Sequence, residues 1–431
     1  MTSSASGERG PFGSLGLSEP LVRAVTDLGY DAPTPIQVEA IPAVLEGRDL
    51  WASAPTGSGK TAAFVLPILE LLGRTTDARR ALGRRPVRAL VLVPTRELAT
   101  QIGEAIRSYG RHLRDRPKTI VAIGGVSINP QMMALRGGAD ILVATPGRLL
   151  DLIDHNALRI SPVEILVLDE ADRMLSLGFA DELARLLALL ERPQNLLFSA
   201  TFPPAVRTLA ENLLHEPLRI EAHDDAGAPL ASSQSFIVQR AIEVDAPRRT
   251  MLLRHLLETH AWSTVLVFVA SRYAAEHVAT KLRRAKVAAA PLHGDLSQGA
   301  RAQALADFKA KRLQVLVATD IAARGIDIVR LPAVVNYDLP RSPVDYLHRI
   351  GRTGRAGESG VAISFVSVDT EAHFRLIEKR HELHLERETI AGFEPTALVP
   401  TVSATDPHGG IKGRRKSKKD KLREAAARGK P

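Results

Sequence analysis

Residues 165–172, ILVLDEAD, carry the strongest chemical signal in the chain. The apolar run 165–168 reads as a strand buried on both faces, as in a parallel sheet covered by helices. It delivers Asp169 and Glu170 at its carboxyl end, where open α/β sheets hold ligands, with Asp172 two positions on. Buried carboxylates need a cation, and a divalent ion bridging two phosphates is a cation that fits. An acidic helix start after a strand is the plainer reading of the same string. A second stretch weighs against it. Residues 50–55 read as a strand and 62–72 as an apolar helix, with TGSGKT (Thr56 to Thr61) between them. In such a loop Gly57 and Gly59, flanked by Thr56 and Ser58, let backbone N–H groups close around phosphate oxygens. Lys60 reaches the β- and γ-phosphates and Thr61 binds Mg²⁺. Ala54 stands where the general phosphate-loop pattern has its first glycine.

These groups need a sheet to hold them. Strands expected at 87–93, 119–123, 140–144 and 195–199 run into PTRELA, Gly124-Gly125, TPGR and SAT (Ser199 to Thr201). Helix N-termini, hydroxyls, Arg and bare backbone N–H groups hold nucleic-acid backbones. Arg96, Gly125, Thr145 and Arg148 are therefore candidate contacts, although each Arg taken alone reads as a surface charge. The Ser199 and Thr201 hydroxyls can bond a neighbouring carboxylate. In residues 29–37, GYDAPTPIQ, Tyr30 and Gln37 flank two prolines. A ring and an amide so placed can read adenine, or simply shape a helix entry.

A second alternation of strands and helices follows, with strands expected at 236–244, 264–269, 287–292, 315–318, 333–337 and 361–366. It has no phosphate loop. It carries HGDLSQGAR (293–301), ATDIAARGIDI (318–328) and YLHRIGRTGRAG (346–357). In the last, Arg349, Arg352 and Arg355 recur every third residue with Gly351 and Gly354 between. Two glycines weaken a helix by about 0.5–1 kcal/mol each. A loop aiming guanidinium forks at a phosphate accounts for both features; a solvated charge cluster is the alternative.

The chain has 431 residues, 45% hydrophobic and 24% charged, as expected for two globular domains plus tails. It has no cysteine, which excludes disulfides, zinc–thiolate sites and thiol catalysis. No apolar run approaches the ~18 residues of a membrane span, and no apolar signal segment opens the chain, so a cytoplasmic protein is expected. Residues 411–431 hold ten Lys/Arg against two acids, +8 of the chain's net +9. The body is thus nearly neutral and the end is a polycation suited to an anionic partner. The expected organisation is a disordered N-terminus (1–16), a first domain (17–220), a polar linker (221–235), a second domain (236–390) and a disordered basic tail (391–431).

In this order, GYDAPTPIQ, APTGSGKT, PTRELA, TPGR, DEAD, SAT, ATDIAARGID and HRIGRTGR resemble the motifs of the DEAD-box RNA helicases. The likeness runs from about Phe12 to Arg387, and Ala54 agrees with that family's own form of the loop. It implies two tandem RecA-like domains, each a mostly parallel sheet flanked by helices, with ATP between them and RNA across both. It implies ATP hydrolysis with Mg²⁺, coupled to local, non-processive unwinding of short RNA duplexes or remodelling of RNA–protein complexes. An ATP-gated RNA clamp or annealing scaffold, or a DNA helicase on the same two lobes, stays open. Carried over residue by residue, Phe12, Tyr30 and Gln37 contact adenine, and Asp169 holds Mg²⁺ with Thr61. Glu170 orients and deprotonates the attacking water. Ser199 and Thr201 couple this site to RNA through Asp172, and His348 couples the lobes. Gly325 and Asp327 meet the nucleotide sugar, and Arg352 and Arg355 reach the γ-phosphate. Arg96, Gly125, Thr145, Arg148, Arg272, Gly294 and Thr319 contact the RNA backbone.

Overall fold

The computed structural model describes residues 10–54, 57–74, 85–221, 237–323, 331–354 and 359–396, and the chain up to Glu394 builds two seven-stranded parallel sheets. The first holds β1 Leu50–Ser53, β2 Ala89–Leu92, β3 Thr119–Ala122, β4 Ile141–Ala144, β5 Ile165–Asp169, β6 Gln194–Ser199 and β7 Leu218–Glu221. Their order across the sheet is β3-β4-β2-β5-β6-β1-β7. The second holds β8 Ile237–Glu243, β9 Val265–Val269, β10 Ala289–Leu292, β11 Val315–Thr319, β12 Ala333–Asn336, β13 Gly360–Val366 and β14 Arg387–Glu388. Its order is β10-β11-β9-β12-β13-β8-β14. Counted from each sheet's own first strand the two orders are the same, so the second lobe repeats the topology of the first without its phosphate loop.

The central strands are short and apolar on both faces because helices cover both. Val91 and Val167 point into one core of lobe one, and Leu90, Leu92, Leu166 and Leu168 into the other. In lobe two Val265, Val267 and Val269 face one core and Leu266 and Phe268 the other. Each such side chain contributes about 1.5–3 kcal/mol by leaving water. Among the described residues no helix is long and apolar enough to cross a membrane.

Two edge strands were not legible as strands. β7 buries only Ile220, and β14 has two half-buried charged residues. Neither shows an apolar run, and both form because a partner strand offers free backbone groups, β1 for β7 and β8 for β14. The ordered body is also longer at both ends than expected. Phe12, assigned to the disordered N-terminus, is buried in lobe one at 3% exposure beside a 3-10 turn, Gly13–Leu15. Phe393, assigned to the tail, packs on lobe two beneath Arg248, 5.3 Å from its ring centroid, and beside His255.

Candidate active site

Because every strand of a lobe points the same way, all the motif turns emerge on one edge. Strand order then divides that edge. The β5-β6-β1 half carries DEAD, SAT and the phosphate loop, and the β3-β4-β2 half carries Gly125, Thr145 and Arg96. The equivalent half of lobe two, β10-β11-β9, carries Gly294, Thr319 and Arg272.

On the first half, β6 lies between β1 and β5, with Ser53 opposite Ser199 and Phe198 opposite Asp169. The helix Lys60–Arg74 starts at the loop, and the Lys60 ammonium donates to the Ala54 carbonyl at 2.8 Å. Gln37 caps the helix Pro35–Leu45 by accepting from the Thr34 N–H at 3.0 Å, and its amide donates to the Gly59 carbonyl at 3.1 Å. The Thr34 hydroxyl donates to the Ser58 carbonyl at 2.9 Å. Residue 59 must be glycine: its φ is +93°, and a Cβ there would collide with the Gln37 amide and the Thr34 hydroxyl. The GYDAPTPIQ segment is thereby fastened to the loop. The Tyr30 hydroxyl lies 3.2 Å from that of Tyr109, and the residue as a whole is 40% exposed.

Asp169 is 3% exposed and accepts from the Glu170 N–H at 2.9 Å. Burial pushes its carboxyl up to about 6; Lys60 holds it down and Glu170 adds to the rise. Among the described residues no three His, Asp or Glu side chains converge on a metal-sized space. A buried carboxylate in want of a cation, with Thr61 at the start of the neighbouring helix, suits Mg²⁺ completed by phosphate oxygens rather than an all-protein cage.

The raised value has a stability consequence. An acid whose folded pKa lies above its ordinary 3.8 favours the fold while neutral and loses that contribution as pH rises through about 6. Over about two units this amounts to about 3 kcal/mol by neutral pH. In the nucleotide-free, Mg²⁺-free protein, Asp169→Asn is therefore expected to raise the melting temperature at pH 7.5, with the gain shrinking towards pH 5. Melting curves of both proteins across that range check it. A difference independent of pH would contradict the assignment.

Glu170 adopts φ 54°, ψ 50°, the left-handed region that costs a residue with a side chain about 1–3 kcal/mol. This turn ends β5 and starts the helix Ala171–Ser176. Arg173 Nη1 approaches Glu170 Oε2 at 3.5 Å. Asp172 carries the link to SAT: the Thr201 hydroxyl and N–H both donate to its Oδ2, at 2.5 and 3.2 Å. The Ser199 hydroxyl does not bond a carboxylate. It accepts from the Asp172 N–H at 3.2 Å and donates to the Thr201 carbonyl at 2.8 Å, so the carboxylate is left to Thr201.

On the other half, Thr95 caps the helix Arg96–Tyr109 by accepting from Leu98 N–H, and Thr145 precedes the helix Pro146–Asp154. The Arg96 guanidinium lies where a Cβ on Gly125 (φ +72°) would sit. Arg148, 8% exposed, donates to the Val126 carbonyl at 2.8 Å, and its Nη1 is buried without a hydrogen-bond partner. In lobe two Arg272 pairs with Asp295 beside the open Gly294.

The helix Pro343–Ile350 holds His348, and Arg352 follows it. Arg352 is 5% exposed; its N–H donates to Arg349 O and its carbonyl accepts from Leu331 N–H. Burial pushes the His348 imidazole below its ordinary value. Asp172 and Glu170 of lobe one oppose that, and Arg352 and Arg173 reinforce it. Lobe-one and lobe-two groups thus share one electrostatic neighbourhood. Arg349 departs from the expected three-arginine fork. It is 2% exposed and turned into its own lobe, bonding Asp320 at 2.6 and 2.8 Å, Asn336 at 3.0 Å and the Asp338 carbonyl at 2.6 Å. As the helix docks, Arg349 shares its inner face with Tyr346 and Ile350, where it secures the helix that carries His348. Thr56, Gly325, Asp327 and Arg355 lie outside the described residues.

One pair went unread in the sequence. Glu97 of PTRELA and Arg301 of HGDLSQGAR meet at 2.9 Å across the lobes, each side chain 6% exposed. Both lie inside the quoted motifs; for Glu97 the available signal was a charge on the buried face of the amphipathic helix Arg96–Tyr109, and Arg301 had none.

With its strand order repeated and a phosphate loop in one copy only, the chain is a tandem RecA-like protein of the nucleotide-binding type. Residues 34–209 match the DEAD/DEAH box helicase family model, and residues 248–357 match that of the helicase conserved C-terminal domain. The chain is 41% identical over 392 residues to the ATP-dependent RNA helicase DeaD of Mycobacterium tuberculosis, covering 91% of this chain and 65% of that one. It is 39% identical over 377 residues to the DEAD-box ATP-dependent RNA helicase CshA of Bacillus cereus, covering 87% and 69%. It thus spans about two thirds of the length of these relatives, slightly less for the first. Among solved structures it is similar to S. cerevisiae Dbp5 bound to RNA and ADP BeF3, with 31% identity, TM-score 0.73, and 88% and 95% of the two chains covered. The chain belongs to the DEAD-box helicase family.

Proposed function

We propose that this protein is an ATP-dependent RNA helicase that couples ATP hydrolysis to local, non-processive opening of short RNA duplexes or remodelling of RNA–protein complexes. The supporting observation is that the two lobes meet on this edge, with Arg301 of lobe two paired to Glu97 of lobe one at 2.9 Å and His348 of lobe two under the charges of Asp172, Glu170 and Arg173 of lobe one. Phe12, Tyr30 and Gln37 border the adenine, and residues 56–61 wrap the phosphates. Lys60 neutralises the β- and γ-phosphates. Thr61 and Asp169 would hold Mg²⁺, which when bound would supply charge neutralisation at the phosphates. Glu170 orients the attacking water and takes its proton. Arg352 and Arg355 stabilise charge on the γ-phosphoryl group, and Gly325 and Asp327 meet the sugar. Asp172, tied to Ser199 and Thr201, relays the state of this centre towards the RNA edge, and His348 couples the lobes.

On that edge Arg96, Gly125, Thr145 and Arg148 of lobe one and Arg272, Gly294 and Thr319 of lobe two hold one strand by its backbone, leaving sequence unread. The orphaned Arg148 Nη1 is a donor that a phosphate oxygen would satisfy. Closure on a bent strand strips its partner. At about 1.4 kcal/mol per step, taken from DNA, six steps cost about 8 kcal/mol, which suits short duplexes. Comparing ATPase stimulation by single-stranded RNA and DNA of one sequence tests the assignment. RNA is expected to stimulate and DNA not; equal stimulation would contradict an RNA helicase.

The basic segment 411–431 is proposed as a sequence-independent tether for structured RNA. Removing residues 409–431 is expected to weaken RNA binding and flatten its salt dependence while ATPase persists at saturating RNA. An unchanged salt slope would contradict the tether.

A further inference from the structure

We propose that the outward face of the helix Arg272–Arg284 is a second track for single-stranded RNA, taking nucleotides beyond those gripped on the sheet edge. This rests on the RNA reading above and extends it. The helix leaves β9 at the edge half that carries Arg272, Gly294 and Thr319. Its inner face is apolar, with Ala275, Val278, Ala279 and Leu282 buried. Its outer face is a ladder of Tyr273, His277, Lys281 and Arg284, all exposed and about one turn apart. Tyr273 is 76% exposed and its ring stacks on His277, with centroids 5.8 Å apart and planes 14° from parallel. The helix has one acid, Glu276, and it is turned to His293 at 3.0 Å.

An exposed, nearly parallel aromatic pair followed by two cations is poorly explained by solubility alone. Charged residues would keep the helix wet without a bare phenol ring. Bases stack on such rings without sequence choice, and phosphates pair with such cations. From Tyr273 to Arg284 the face runs about 17 Å, enough for a short run of nucleotides. The bases would meet Tyr273 and His277 next to the grip, and the backbone would pass Lys281 and Arg284 further on.

The test uses the full chain with ADP–BeF3 and fluorescein-labelled oligouridylates of 6 and 14 nucleotides, read by anisotropy. The wild-type chain is expected to bind the 14-mer more tightly than the 6-mer. Tyr273→Ala should weaken the 14-mer about tenfold, in line with loss of one base stack, and leave the 6-mer within twofold. The double variant Lys281→Ala, Arg284→Ala should lower the salt slope for the 14-mer by about 1.4, two single-strand phosphates' worth. These side chains are exposed, so unchanged melting curves should show the fold intact. Wild-type binding of the 14-mer by both variants would overturn the track, as would equal losses on both lengths. Failure of the wild-type chain to bind either oligonucleotide would instead overturn the RNA reading beneath it.

Discussion

Glu170→Gln is expected to lower ATP turnover at saturating RNA by about 10²–10⁴-fold, the range for removing a general base. The substitution keeps the side chain's length and its hydrogen bonding to the neighbouring Arg173, but an amide cannot take a proton. The backbone at Glu170 is held in the left-handed region by the turn from β5 into the helix Ala171–Ser176, so the side chain's direction is set by the fold. Glu170 makes no ladder contact that the lobe needs, so nucleotide binding and RNA binding should survive. Steady-state hydrolysis alongside fluorescent-nucleotide titration checks both halves. Turnover within a few-fold of wild type would remove Glu170 from the role given to it.

Arg352→Ala is expected to lower RNA-stimulated turnover by about 10³-fold or more, the scale of a guanidinium supplied to a γ-phosphate across an interface. The effect should fall on kcat. Arg352 belongs to lobe two, while the loop proposed to bind ATP, Thr56 to Thr61, belongs to lobe one. Its backbone is fixed at both groups, by Arg349 O and Leu331 N–H. Arg349 is in turn locked by Asp320 and Asn336, so truncating Arg352 leaves its scaffold in place. A variant that loses ATP affinity but keeps kcat would place Arg352 in ground-state binding instead. Lys is not expected to substitute, because the fork geometry is lost.

The strand-end turns were more legible than the packing around them. Glycines, hydroxyls and carboxylates at strand ends announced themselves, because parallel strands with short turns leave few places for a ligand. Period-two and period-three counting could not say which way Arg349 faces. That depends on where the helix Pro343–Ile350 docks, and its partners Asp320 and Asn336 lie 29 and 13 residues back, just past β11 and at the end of β12. The same limit hid the Ser199 partner: two residues before Thr201, its hydroxyl meets the Asp172 backbone N–H rather than the carboxylate. β7 and β14 were invisible because an edge strand needs only a neighbour's free backbone groups. Glu97 and Arg301 were read as parts of separate motifs, since nothing local tells that two lobes bring them together.

That pair also bears on how firmly the lobes close. Burial lowers the Arg301 pKa, and Glu97 only partly offsets it. Arg301 Nε stays without a hydrogen-bond partner. A buried ion pair left short of partners adds little net stability, so docking should need ATP and RNA as well. Each ligand must then tighten the other by the same factor.

The most direct measurement uses the chain's lack of cysteine. Met133→Cys in lobe one and Leu376→Cys in lobe two, both at sites more than 60% exposed, accept a donor and an acceptor dye without background labelling. The account predicts that energy transfer shifts to a single closed value only when ADP–BeF3 and RNA are both present, and that neither ligand alone achieves it. The same value in the free protein, or no shift with both ligands bound, would contradict a catalytic centre assembled by closure.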